Sequence, residues 1–146
     1  MGASTLYGAN VTAMSTTPPT IADPNELSGK VRCFFDSISV NAIEKASTIT
    51  IAKLPIGAKV VDVRVWHGAL GSGVTLQAGI SGATAKFIPA TSAAAAGQFS
   101  MAEVGTDLTG PLYECTAETS VILTTGGATT AASAIGIVTQ VLYVVD

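Results

Sequence analysis

His67 is the one histidine in a chain of 146 residues. A histidine can act as general base, proton shuttle or metal ligand, because its ring titrates near neutral pH. Here it follows Trp66 at the end of an alternating segment and has no second histidine to share a metal, so it reads as a polar or packing side chain. The ten acids are Asp23, Glu26, Asp36, Glu44, Asp62, Glu103, Asp107, Glu114, Glu118 and Asp146. They are scattered and lack the spacing of a calcium loop. Glu114 and Glu118 come nearest to the facing carboxylates of a glycosidase, but solvated surface acids are the simpler reading. Gly71-Ser72-Gly73 lies close to His67. A nucleophile elbow sets G-x-S-x-G between a strand and a helix, whereas these glycines touch the serine directly and a strand follows. No Lys-Ser/Thr pair or helix follows either, as a phosphate loop would need. Trp66 with Tyr113 or Tyr143 could line a platform for sugar rings. With aromatic residues at only 5% of the chain, a core or interface anchor is the plainer role for Trp66. On these residues no catalytic, cofactor-binding or metal-ligating position is assigned, and no cofactor is expected.

The elements around these residues have the period of strands. Val61, Val63 and Val65 alternate with Asp62 and Arg64, which places the valines on one face and the charges on the other. Gly68, Gly71 and Gly73 punctuate a loop. Val74, Leu76, Ala78 and Ile80 then alternate with Thr75, Gln77 and Gly79. The simplest reading of Leu54 to Ile80 is an antiparallel hairpin.

Along the rest of the chain, Val31 to Val40 and Thr48 to Ala52 read as strands, and Leu54 to Ala58 as a Pro/Gly turn. Ala85 to Pro89 is a short strand candidate anchored by Phe87 and Ile88. Thr91 to Gly97 is a small-residue loop or a single helical turn. Leu112 to Cys115 and Ser120 to Thr125 are further strands. Ile135 to Val145 carries apolar residues on both faces and should be a central, well-covered strand. About eight short antiparallel strands without a long helix predict an all-β domain, a β-sandwich or jelly roll. Its core should draw on Val31, Phe35, Ile49, Ile51, Val61, Val63, Val65, Leu76, Val121, Leu123, Ile137 and Val141.

Residues 1–24 are rich in Thr, Ser, Ala and Gly, with Pro18-Pro19 and Asp23-Pro24 near their end. Too few large apolar residues are present for a separate core, and the double proline favours extended backbone. The expected organisation is an N-terminal arm over 1–24, flexible or extended, and one β-sandwich domain over 25–146. Leu6, Tyr7, Val11, Met14 and Ile21 are spaced apolar anchors by which the arm could hold a partner.

Charged residues make up 12% of the chain, about half the usual share of roughly 25%. A Thr/Ser/Ala/Gly surface carries little charge to keep copies apart, which fits a homo-oligomer or coverage by other chains; a Thr/Ser-coated monomer is the plainer alternative. The net charge is −3 and no basic run occurs, so the phosphate-neutralising patch of a nucleic-acid binder is missing. Mean hydropathy is +0.51, yet the most apolar segment, Ala131 to Val145, is broken by Ser133, Thr139 and Gln140. It is also short of the roughly 20 residues that span a bilayer, so no membrane partner is expected. The N-terminus lacks the basic and apolar regions of a secretory signal. Cys33 and Cys115 are then expected to stay as thiols, acting as small buried hydrophobes.

The run from Leu54 to Ile88 resembles small structural proteins of tailed bacteriophages. In those, an (I/L)P-x-G-A-x-V-x-D-V segment precedes a glycine turn, a G-x-T-L-x-x-G strand and a short loop ending near F-I. The matching pieces are Leu54-Pro55-Ile56-Gly57-Ala58-Lys59-Val60-Val61-Asp62-Val63, then Gly73-Val74-Thr75-Leu76-Gln77-Ala78-Gly79, then Phe87-Ile88. The run that contains them, Leu54 to Ile88, covers about a quarter of the chain. The acidic loop residues associated with that pattern are replaced by Ser81-Gly82-Ala83-Thr84, so no ion site carries over. The resemblance implies a non-enzymatic virion protein, foremost a head decoration (cement) protein on the capsid exterior, assembled in the host cytoplasm. The implied partners are the major capsid protein and further copies of the chain, with a trimer favoured because three-fold axes recur on icosahedral shells. The rival readings are a tail, neck or fibre component and a carbohydrate-binding jelly roll.

Overall fold

The computed structural model describes residues 2–7, 12, 15, 31–111 and 113–145. In chain order its elements are β1 (Thr5–Tyr7), β2 (Arg32–Val40), β3 (Thr48–Leu54), β4 (Ala58–His67), β5 (Thr75–Ile80), β6 (Ala83–Ser92), β7 (Gly97–Ser100), α1 (Met101–Val104), β8 (Thr119–Gly126) and β9 (Ile135–Val145). Two sheets pack face to face. One has the order β1-β3-β8-β5-β6 and the other β2-β9-β4-β7.

The topology follows one rule. β5 pairs with β6, β4 with β7, β3 with β8 and β2 with β9, all antiparallel. These are the rungs of one long hairpin whose tip is the β5–β6 turn. Successive rungs fall in alternate sheets. The roll is closed by β5 against β8 and by β4 against β9. Eight strands wound this way are a jelly roll. The ninth strand, β1, adds to the edge of the first sheet, parallel to β3, with Thr5, Leu6 and Tyr7 opposite Thr48, Ile49 and Thr50.

The rolled path corrects the expected hairpin. β4 and β5 lie in different sheets, and residues 68–74 carry the chain across the sandwich rather than turning it back. Gly71 at φ +117° and Gly73 at φ +78° supply backbone that branched residues resist. Strand patterning reports the period of each strand but not its partner, so crossover and hairpin look alike in sequence.

The core between the sheets contains Ile49, Ile51, Leu54, Leu76, Phe87, Ile88, Leu123 and Ile137, all fully or almost fully buried. Each such side chain contributes about 1.5–3 kcal/mol by leaving water. Val63, Val65, Val121 and Val141 join them as expected. Three expected core residues do not. Val31 is 57%, Phe35 50% and Val61 37% exposed. On β2 the residues facing the core side are Phe34, Asp36, Ile38 and Val40, while Cys33, Phe35 and Ser37 face out. Both faces of that strand carry apolar residues, so period alone could not choose between them. On β4 the cause is a bulge. Val60 pairs with Tyr143 and Asp62 with Leu142, which leaves Val61 as the extra residue. The alternation shifts by one there, and Val60 takes the buried place expected for Val61.

Smaller expectations also change. The strand expected at Ala85 to Pro89 extends over Ala83–Ser92. Of the strand expected at Leu112 to Cys115, a single bridge between Glu114 and Lys59 is present among the described residues. Both cysteines are free thiols. Cys115 is buried, but Cys33 is exposed because it shares the outward face of β2 with Phe35.

Candidate functional site

The outer face of the four-stranded sheet carries the candidate site. Beyond the bulge, Asp62, Arg64 and Trp66 lie on the face of β4 turned away from the core. In the β4–β7 ladder Arg64 sits opposite Ser100 and Trp66 opposite Gln98, and directly opposed residues of an antiparallel pair share a face. β7 is the edge strand. The chain turns from it straight into α1, whose Ala102 and Glu103 form the far wall. The result is a cleft of about 320 Å³ lined by Asp62, Arg64, Trp66, Gln98, Phe99, Ser100, Ala102 and Glu103.

Asp62 anchors this cleft and is only 7% exposed. Its Oδ1 accepts the backbone N–H of Val63 at 2.9 Å and that of Ala102 at 3.4 Å. Its Oδ2 accepts the Arg64 Nε–H at 3.0 Å, so the two side chains form an ion pair. The carboxylate thereby ties β4 to the start of α1 and aims a guanidinium that remains 49% exposed. The next ring along the face is Trp66, which stacks on Phe35 of β2 with centroids 6.2 Å apart and planes 21° apart. β9 lies between those two strands, so the aromatic pair leans across it.

The side chains singled out in the sequence are dispersed. His67 faces the other side of β4 from the cleft, is 8% exposed, tilts against Phe99 at 5.4 Å and has its Nδ1 2.8 Å from the Gly68 carbonyl oxygen. That is a packing role. Glu114 and Glu118 are both exposed. Tyr113 meets Phe87 edge-on, with Lys86 Nζ 4.9 Å from its ring centre. Tyr143 packs against the core. Neither tyrosine stands beside Trp66. Its aromatic neighbour, Phe35, is 31 residues earlier in sequence and was expected in the core. The detectable signal was that both faces of β2 are apolar. Among the described residues no group of His, Cys, Asp and Glu could hold a metal ion, and no helix is long and apolar enough to cross a membrane.

Of the expected arm anchors, Leu6 is half-buried and packs against the core, and Tyr7 is 54% exposed. Val11, Met14 and Ile21 lie outside the described residues. The Lys53 ammonium donates to Ser15 Oγ at 2.9 Å, which brings residue 15 beside the far end of β3.

No protein-family model matches the chain, and no curated protein does. Solved structures share its fold. A chain of the cyanophage Pam1 capsid asymmetric unit matches with a TM-score of 0.67 and 22% identity, over 92% of this chain and 99% of that one. A chain of the capsid of Ralstonia phage GP4 matches with a TM-score of 0.72 and 18% identity, over 97% of this chain and 98% of that one. A chain of the acidic stable capsid of Helicobacter pylori bacteriophage KHP30 matches with a TM-score of 0.53 and 13% identity, over 80% and 94%. At these identities the likeness is one of fold: this protein is a jelly roll of the kind found in those three capsids.

Proposed function

We propose that this protein is a non-enzymatic bacteriophage virion component, a decoration (cement) protein that binds the outside of the assembled head shell. The observation that carries the reading is the extent of the fold match. It runs over nearly the whole of this chain and nearly the whole of the Pam1 and GP4 capsid chains, so a complete molecule of about this size and shape has a place in those shells. The low charge density supports it, since a surface of small neutral side chains suits close apposition to other subunits.

The proposed mechanism is mass action. A rigid sandwich that binds the assembled shell better than its dissociated subunits stabilises the shell by its binding free energy. The surface we assign to the shell is the end of the sandwich where β9 finishes. There Val31 precedes β2, Ile56 occupies the β3–β4 turn and Val61 stands out at the bulge. Their exposures are 57%, 68% and 37%. Leu6 is held by this chain's own core, and the rest of the N-terminal arm, with Tyr7, Val11, Met14 and Ile21, adds attachment to a neighbouring copy or to the shell; the copies associate as a trimer.

The test is co-sedimentation of the purified protein with shells stripped of it, together with sedimentation equilibrium of the free protein. Binding at saturable, high copy number is expected, and Ile56→Asp should abolish it without altering the circular dichroism. Recovery of the protein only with tails after heads and tails are separated would move it to the tail or neck. A free monomer at micromolar concentration would remove the trimer.

A further inference from the structure

We propose that the cleft between β4, β7 and α1 is a carbohydrate site that takes a neutral pyranose, as a free sugar or a terminal glycan residue. The chain has one tryptophan, and the fold spends it on an outward sheet face. Trp66 is only partly buried there, and Phe35, itself half exposed, stacks against it from β2. A flat aromatic surface beside polar groups suits the apolar C–H face of a sugar ring. The cleft's volume of about 320 Å³ lies at the small end of the roughly 300–1,000 Å³ range of ligand pockets.

The polar lining selects the ligand class. A hydroxyl both donates and accepts, so vicinal hydroxyls need donors and acceptors side by side. Gln98 offers an amide with both, Ser100 a hydroxyl, Arg64 a fork of N–H donors and Glu103 a carboxylate, all lining the same cleft as Trp66. Formal charges at the cleft are Asp62 and Glu103 against Arg64. A phosphate or sulfate would face two carboxylates, and a metal ion or ammonium would face a half-exposed guanidinium. A neutral polyol meets neither penalty. The frame is also rigid where recognition needs it. Arg64 and Trp66 stand on β4, which is flanked by β9 and β7, and the Asp62 carboxylate already holds Arg64 in place. Sugar binding in this cleft does not depend on attachment to a shell.

The experiment uses the intact protein, with Trp66 as its own reporter. Because the chain has a single indole, tryptophan fluorescence and the one indole N–H resonance both report this site alone. Methyl glycosides of glucose, galactose, mannose, fucose and N-acetylglucosamine are titrated to tens of millimolar and followed by both signals and by saturation-transfer NMR. At least one should bind saturably, with a Kd on the order of 1 mM or tighter. Gln98→Ala should weaken that binding at least tenfold, Trp66→Ala should abolish saturation transfer, and Trp66→Phe should retain part of it. Leu108→Ser, at a 92% exposed side chain outside the cleft, should change nothing. If no glycoside binds, or if transfer is equal in Trp66→Ala, the proposal fails. Loss of shell co-sedimentation on Trp66→Ala without any sugar binding would also overturn it, by making the cleft a protein contact.

Discussion

Truncating three neighbouring valines of β4 to alanine, one at a time, tests the bulge that organises the four-stranded sheet. Uninterrupted alternation would bury Val61 and Val63 and expose Val60. The structure instead buries Val60 and Val63 completely and leaves Val61 37% exposed. Val→Ala removes two carbons, which at about 0.8 kcal/mol each is roughly 1.6 kcal/mol of transfer free energy. A residual cavity adds about 24 cal/mol per Å³ in a site that cannot collapse. Val60→Ala and Val63→Ala should therefore cost about 2–3 kcal/mol each. Val61→Ala should cost below about 1 kcal/mol, mostly through the lower strand preference of alanine. For a chain of this size each kcal/mol lowers Tm by about 2–4 °C. Urea unfolding with unchanged slope would give the differences directly. If Val61→Ala proved as costly as Val63→Ala while Val60→Ala was neutral, the ladder would be unbulged.

Other outcomes follow from burial and pairing. Leu123→Ala, at a fully buried β8 residue, should cost about 2–5 kcal/mol in the same assay. Deleting residues 1–24 removes β1 and the Leu6 contact but none of the eight rolled strands. Calorimetry should show a folded protein melting a few degrees lower, and co-sedimentation with shells should weaken; complete unfolding would make the arm part of the sandwich. Cys33 should react promptly with a disulfide reagent and Cys115 only in denaturant, because the first is exposed and the second is 1% exposed. Burial pushes the Cys115 thiol above its ordinary 9.0, with Thr119 opposing and Glu114 assisting. The unfolded chain sheds that proton first, so this contribution to stability is intact below about pH 9 and is lost as pH rises through the higher folded value. Cys115→Ala should flatten that part of the profile of Tm against pH.

Much of the fold was legible in the sequence because burial on one face imposes a period of two on each strand. β9 coincides with its expected run Ile135–Val145, and β2, β3 and β8 fall within two residues of theirs. Nine of the twelve expected core residues are buried for the same reason. Pairing was not legible. β4 joins β9 and β7 across long sequence separations, and nothing local to Val61–Ile80 distinguishes a crossover from a hairpin. The bulge at Val61 was hidden too, because one extra residue changes the side-chain phase while leaving every residue type a good strand former. The candidate site depended on the pairing. Asp62, Arg64 and Trp66 become neighbours of Gln98, Ser100 and Glu103 only when β7 takes the edge beside β4, and Trp66 meets Phe35 only because β9 sets their two strands two places apart. Strand period is a property of neighbours in the chain. Which strands lie side by side is decided by how the long hairpin closes over its shared core, and that closure exists only in the tertiary structure.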